Sequence, residues 1–365
     1  METASGMLIE SRDQSILDDY FYPSLAMKFY LWGYLSLFIL GYTGNSASLL
    51  TFARPTLRAS STGILYMVLA ISDICFLSSL TFDFIHYGLR LDLDIISDFI
   101  YTCRWREFLM GTSQFCSAWI LVFIAMDRWI RTRFPYKSTA ICTQKKALIV
   151  LAILLSTTIG LHAMFLTSLY QPFYLQIPLI NCMPLRIAGD DFFNFYYETW
   201  PVVQLSISCL VPAGLILVFI VDMFIKIRLQ KRIVHQHINN QNRNQTVRHN
   251  NRLQNQLFII MLSNVIIFFI TTVQIGIYRF LYWRTLSSSI GLDIRFFTNL
   301  TVILSWVLGI NYSINFYVHC LTSTLFRREF KKYFSLISIL YQRTQTHVNT
   351  IQPIILIRTN NNLRR

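Results

Sequence analysis

Charge is what this sequence has least of: Asp, Glu, Lys and Arg make up 14% of its 365 residues, where a water-soluble domain carries about 25%. So few charges leave a soluble surface uncovered, which argues against an ordinary globular enzyme. Acids are scarcer than bases, 18 against 32, giving a net charge of +14. A nucleic-acid binder gathers such cations on one surface; here they are confined to particular loops, and that reading falls away. No internal repeat is visible, which counts against the two-fold architecture of many transporters. Asn is missing from residues 1–27, so that stretch offers no N-glycan acceptor. Met1–Ser24 also lacks the basic start and apolar core of a cleavable signal peptide, and the first apolar run is expected to act as its own insertion signal. Sequons at Asn244, Asn299 and Asn311 read as chance matches, the first in a cytoplasmic loop and the others inside an apolar run.

What the chain does have is apolar length. A helix crossing a bilayer needs about 20 residues at 1.5 Å each, and seven runs qualify: Ala26–Phe52, Gly63–Leu89, Cys103–Arg131, Ala147–Leu169, Trp200–Ile227, Leu257–Trp283 and Ile294–Leu321. Helices in lipid satisfy their own backbone and need no polar face. Lys and Arg then set the orientation. Arg54 and Arg58 follow span one, Arg133 and Lys137 follow span three, and Lys226, Arg228, Lys231, Arg232, Arg243, Arg248 and Arg252 follow span five with no acid among them. The opposite loops are acidic, with Asp92, Asp94, Asp98, Asp190, Asp191 and Glu198. The basic loops and carboxyl terminus are therefore expected inside the cell, and the amino terminus outside.

Of seven cysteines, only Cys103 and Cys182 are expected on the oxidising side. A bridge between them would pin the loop before span five over the bundle mouth; two unpaired thiols are the alternative. Cys75, Cys116, Cys209 and Cys320 read as packing residues, and Cys142 as a reduced cytoplasmic thiol.

An ionisable group inside lipid needs a partner or a hydrated cavity. Asp73 lies in mid-span, and Asn45, Ser117, Asn311 and Asn315 lie at compatible depths. They are either interhelical hydrogen-bond glue or a small cavity that admits a monovalent cation. At the inner end of span three stands Asp127-Arg128-Trp129, which alone is either a snorkelling pair or a functional triplet.

In that setting the chain resembles the rhodopsin-like, or class A, G-protein-coupled receptors over about residues 28–335, in a divergent, peptide-receptor-like form. Gly44-Asn45 is similar to the family's span-one pair, Leu69-Ala70-Ile71-Ser72-Asp73 to its LAxxD, and Asp127-Arg128-Trp129 to its DRY with Trp for Tyr. Pro135, Pro212, the interval from Cys103 to Arg128, and the spacing of Asn311, Asn315 and Phe326-Arg327 also match, and Cys182 looks like the bridge partner of Cys103. The resemblance implies an all-α seven-transmembrane helix bundle with a short amphipathic eighth helix, and it implies a heterotrimeric G protein as partner. Arg128 would contact that partner when span six swings out, and Asp127 would hold Arg128 at rest. Asp73, Ser117, Asn311 and Asn315 look like the family's sodium site, which raises the cation reading; no other cofactor is expected. Departures are plain: the NPxxY of span seven is Asn315-Phe316-Tyr317-Val318-His319, span six has no CWxP and no proline, Ile220 replaces an expected tyrosine, and the span-four tryptophan is missing. Without proline, Gly276 is left as the source of flexibility in span six.

Residues 1–27 are thus expected as an extracellular tail, 28–323 as the bundle, 324–341 as an amphipathic helix on the inner leaflet, and 342–365 as a cytoplasmic tail. His235–Arg252 reads as a flexible loop. Met110 stands where amine receptors carry an aspartate and Gly309 where opsins carry the retinal lysine, which argues against both classes. Asp83, Glu107, Met110 and Gln114 are the candidate ligand contacts. Asp83 and Glu107, with the acidic loops, would steer a basic ligand, and a basic neuropeptide is the expected one. Glu107 has an alternative, pairing with Arg104 or Arg106. The expected location is the plasma membrane. The competing functions are a receptor-like protein that binds without signalling and a seven-helix transporter or channel.

Overall fold

The computed structural model describes residues 23–89, 96–171, 183–184, 190–236, 258–259, 261–287 and 294–333. Seven helices in it are long and apolar enough to cross a membrane: Ser24–Phe52, Ser61–Gly88, Cys103–Arg133, Gln144–Leu166, Asp191–Leu229, Met261–Leu281 and Arg295–Ser313. The expected all-α bundle of seven spans is therefore present. Span one begins at Ser24, directly after Pro23, and so takes in the last residues assigned above to the tail. Large apolar side chains such as Trp32, Ile153, Val218 and Ile270 stand on the outer surface, as the absence of water around a bilayer span demands.

Small residues let the helices approach. A methyl group on Gly41 would fall 2.4 Å from Leu77, and one on Gly309 would fall 2.4 Å from Leu37. These contacts draw spans one, two and seven together, as small residues do wherever hydrophobicity cannot drive helix association in lipid. Inside, one apolar core fills the inner half around Leu69, Ile120, Ile216 and Phe268. A second, rich in tyrosine, joins Tyr34, Phe76, Leu308 and Tyr312; Phe76 and Tyr312 stack at 3.7 Å between ring centroids.

Wide, π-helical turns occur in four spans, at Phe29–Gly33 in span one and Phe84–Gly88 in span two as well as in spans five and six. In span five, Ser206–Leu210 is wound this way, and the N–H of Val211 reaches back to the Ser206 carbonyl. The next carbonyl in that register, Ile207, faces Pro212, which has no N–H to give. The Trp119 indole supplies the missing donor at 3.0 Å. In span six the turn is Phe269–Val273. Proline is absent there, yet the helix is still irregular, and at this turn rather than at Gly276. Span seven stops at Ser313 and resumes as Asn315–Thr322, again without proline.

Outside the bundle, strand β1 (Tyr170–Gln171) pairs antiparallel with β2 (Met183–Pro184), Tyr170 opposite Pro184. After Ser323, whose hydroxyl accepts from the Phe326 N–H at 3.2 Å, residues 324–333 form the expected eighth helix. Its predicted remainder to residue 341, the tail 342–365, and the loop His235–Arg252 beyond Gln236 lie outside the described residues.

Candidate functional site

The inner end of span three departs from expectation. Asp127 does not hold Arg128. Its carboxylate accepts from Ser61 Oγ at 2.5 Å, Thr62 Oγ1 at 2.6 Å and Arg131 Nε at 3.0 Å. The reason is helical periodicity: Arg131 lies four residues on and shares a face with Asp127, whereas Arg128 points a hundred degrees away. Ser61 and Thr62 open span two against that face, where the Ser60 hydroxyl accepts from the Gly63 N–H at 3.0 Å as an N-cap. Among the described residues the Arg128 guanidinium meets no carboxylate. Trp129, in place of the family's tyrosine, donates its Nε1–H to Asp222 of span five at 2.7 Å.

His319 fills the position of the missing NPxxY tyrosine. It is buried at 3% exposure and lies edge-on to Tyr66 at 4.4 Å and to Phe52 at 5.5 Å. Phe326 of the eighth helix closes the pocket. That helix is fastened by a residue the sequence reading missed. Glu329 is 1% exposed and bonds Lys332 at 2.9 Å and Arg54 of the first inner loop at 3.4 Å. The Lys332 hydrogen bond, chiefly, holds its carboxyl below the usual range against the opposing effect of burial. A lone acid among Arg327, Arg328, Lys331 and Lys332 was the available signal. Nearby, burial and the Asp127 charge push the Cys142 thiol up to about 11.

At mid-membrane, three of the five expected polar residues meet. Asp73, 1% exposed, accepts from Ser117 Oγ at 2.8 Å and from Asn315 Nδ2 at 2.7 Å. Ser72 Oγ lies 3.0 Å from Ser117 Oγ. Asn45 turns instead to the Tyr312 carbonyl at 2.8 Å. Asn311 is buried at 5% exposure beside this cluster in sequence register, without a hydrogen bond to Asp73.

The candidate ligand contacts divide into two groups, and the division corrects the expected electrostatics. Asp83 is buried at 5% exposure and binds Arg106 at 2.7 Å; Glu107 pairs with the same guanidinium. The two acids are thus held by a cation between them, as the alternative for Glu107 had it, and do not stand as free charges at the mouth. Met110 and Gln114, one turn apart on span three, both face Arg279 of span six, with Gln114 Oε1 3.5 Å and Met110 Sδ 3.9 Å from the guanidinium. Gln114 and Arg279 line a cleft closed by Gln204, Ser208 and Thr272 of spans five and six and by Leu308 of span seven. Arg279 was not singled out from the sequence, since one arginine near a span end reads as an interfacial anchor. Cys103 is buried and is not a free thiol, while Cys182 lies outside the described residues. Cys75, Cys116, Cys142, Cys209 and Cys320 are free.

A family profile described as 7 transmembrane receptor (rhodopsin family) matches residues 44–315. The chain is similar to FMRFamide peptide receptor frpr-18 of Caenorhabditis elegans, at 29% identity over 31% of this chain and 27% of that one. It is also similar to cysteinyl leukotriene receptor 2 of Homo sapiens, at 24% identity over 49% of each. Galanin receptor type 2 of Mus musculus is 26% identical over 47% of this chain and 46% of its own. These matches span about half the length of the curated relatives or less. The family profile covers well over half of the chain and includes both the Asp73 cluster and the Asp127-Arg128-Trp129 end of span three: this protein belongs to the rhodopsin family of seven-transmembrane receptors, as a divergent member.

Proposed function

We propose that this receptor lies in the plasma membrane with its amino terminus outside, binds an extracellular peptide, and promotes nucleotide exchange on a heterotrimeric G protein. The observation that carries this reading is the inner end of span three. Arg128 sits at the basic end of the bundle with its neighbouring acid already committed to Ser61, Thr62 and Arg131. A guanidinium left without a carboxylate there is free to donate to backbone carbonyls of a docked partner helix. Peptide receptors among the relatives, named for FMRFamide and galanin, support the ligand class. The basic sign expected for that ligand now leans on the acidic outer loops, because Asp83 and Glu107 are both paired with Arg106.

Asp73 is proposed to take a sodium ion. Its carboxylate, the Ser117 hydroxyl and the Asn311 and Asn315 amide oxygens are hard oxygen donors, which fit a monovalent cation better than a transition metal. The Cys103–Cys182 bridge is proposed to tie the β2 segment to the outer end of span three.

A second reading, a receptor that binds without signalling, is favoured by one observation: His319 is sealed among Tyr66, Phe52 and Phe326, where the family uses a tyrosine. Cells expressing the chain with a nucleotide-exchange reporter, exposed to a library of synthetic peptides, separate the two. A peptide that raises exchange supports coupling. A peptide that binds at the surface and never raises exchange supports the silent receptor.

A further inference from the structure

The cleft around Arg279 contains hydrogen-bond donors in excess of acceptors. Arg279 is partly buried and bonds no carboxylate among the described residues; Gln114 Oε1 and Met110 Sδ are its only side-chain partners among them. Because the Gln114 oxygen turns to the arginine, its Nε2 is left buried and without a partner. The Thr272 hydroxyl is unpartnered as well. A helical threonine hydroxyl can bond the carbonyl four residues back, as Thr271 does to Ile267 at 2.7 Å. Thr272, its neighbour in the same wide turn Phe269–Val273, makes no such bond. Both unpartnered donors line the same cleft as Arg279. The nearest acids toward the mouth, Asp83 and Glu107, are held by Arg106. Deeper in the bundle, Asp73 is held by Ser117 and Asn315.

A partly buried cation flanked by two idle donors is the arrangement that recognises an anion with two oxygens. We propose that this cleft takes the carboxylate of the extracellular ligand, docked on Arg279 with Gln114 Nε2 and Thr272 Oγ1 as flanking donors. This rests on the reading of the outer bundle as a ligand cleft, and it reverses the charge expected of the ligand group that enters deepest. Free peptide carboxyl termini and fatty acids share this chemistry.

The test uses the purified full chain in lipid nanodiscs and five probes: N-acetylphenylalanine and its amide, decanoate and decanamide, and phenethylamine. Thermal unfolding at increasing probe concentration gives apparent affinities. In the wild type, at least one acid binds about tenfold or more tightly than its amide. N-acetylphenylalanine leading would point to a peptide terminus, and decanoate leading to a fatty acid. Arg279→Gln removes the acid preference, Arg279→Lys keeps part of it, and Arg279→Glu shifts preference to phenethylamine. If Arg279→Gln does not fold, Gln114→Leu and Arg279→Lys carry the test, each lowering acid affinity more than amide affinity. Equal binding of acid and amide by the wild type, no binding of either acid at millimolar concentration, or an acid preference that survives Arg279→Gln overturns the proposal. G-protein nucleotide exchange, measured separately, keeps the two readings apart: exchange without acid selectivity removes only this site, and acid selectivity without exchange removes only the signalling.

Discussion

The indole Nε1 of Trp129 donates to Oδ2 of Asp222 at 2.7 Å, joining the inner ends of spans three and five. The indole also packs on Phe219 at 5.4 Å between centroids, so a tryptophan here combines apolar contact with a donor to a charged acceptor. Replacement by phenylalanine keeps the first and removes the second. A hydrogen bond to an ionised group contributes about 1.5–3 kcal/mol, less where water can replace it. Trp129→Phe is expected to lower the apparent Tm of the purified receptor by a few degrees and to loosen span five at its inner end. Asp222→Asn, which still offers an acceptor, should lose less. A Trp129→Phe variant as stable as wild type would show that the bond contributes nothing measurable to stability.

Sodium binding is tested by the same kind of measurement. The wild type is expected to unfold at higher temperature in sodium chloride than in choline chloride at equal ionic strength. Asp73→Asn should abolish that difference, because the amide carries no charge to balance the ion. An identical Tm in both salts for the wild type removes the site.

Glu329 provides a pH dependence with a definite sign. Its folded carboxyl titrates below the usual range, chiefly through Lys332. The stabilisation is therefore complete above the ordinary glutamate value of about 4.3 and is lost as pH falls through the lower, folded value. Lys332 is half exposed, so solvent screens part of the interaction, and about 1–2 kcal/mol is expected. Glu329→Gln should lower stability at pH 7 and differ progressively less from wild type below about pH 4. A constant difference at all pH values would mean that packing of Glu329, and not its charge, holds the eighth helix.

Cys103 and Cys182 are expected to appear as one linked peptide in a non-reducing digest of receptor taken from the cell surface. Separate alkylated peptides would rule the bridge out. The Cys142 thiol, pushed up to about 11, should react slowly with maleimide at pH 7 in the folded protein.

The spans were legible in the sequence because lipid imposes a simple rule: an apolar run of sufficient length has few alternatives to a transmembrane helix. Asp73, Ser117 and Asn315 were legible for the same reason, since a polar group in that medium must find another. Pairings at the helix ends were not. Asp127 has two arginines within four residues, and only the rotation of span three against Ser61 and Thr62 decides that Arg131 is the one it meets. Asp83 reads as a free acid until span two brings it to Arg106, across 23 residues of chain, whereas the pairing of Glu107 with Arg106 is already one of its two readings. Arg279 stayed hidden because it lies in a stretch of ordinary interfacial composition and its partners are far away in sequence; Glu329 stood out as a lone acid beside Lys332, but its tie to Arg54 comes only with the fold. The irregularity of span six was sought in proline and glycine, whereas the chain uses a wide turn at Phe269–Val273, for which no single residue type is required.

Signalling itself is tested most directly by nucleotide exchange with purified components. Receptor in nanodiscs is mixed with purified heterotrimeric G proteins of each major class, and uptake of a non-hydrolysable GTP analogue is timed for wild type and Arg128→Ala. The expected result is uptake above that of empty nanodiscs for at least one class, reduced about tenfold or more by Arg128→Ala at equal receptor folding. Uptake indistinguishable from empty nanodiscs for every class, with and without an activating peptide, or uptake unaffected by Arg128→Ala, would contradict it.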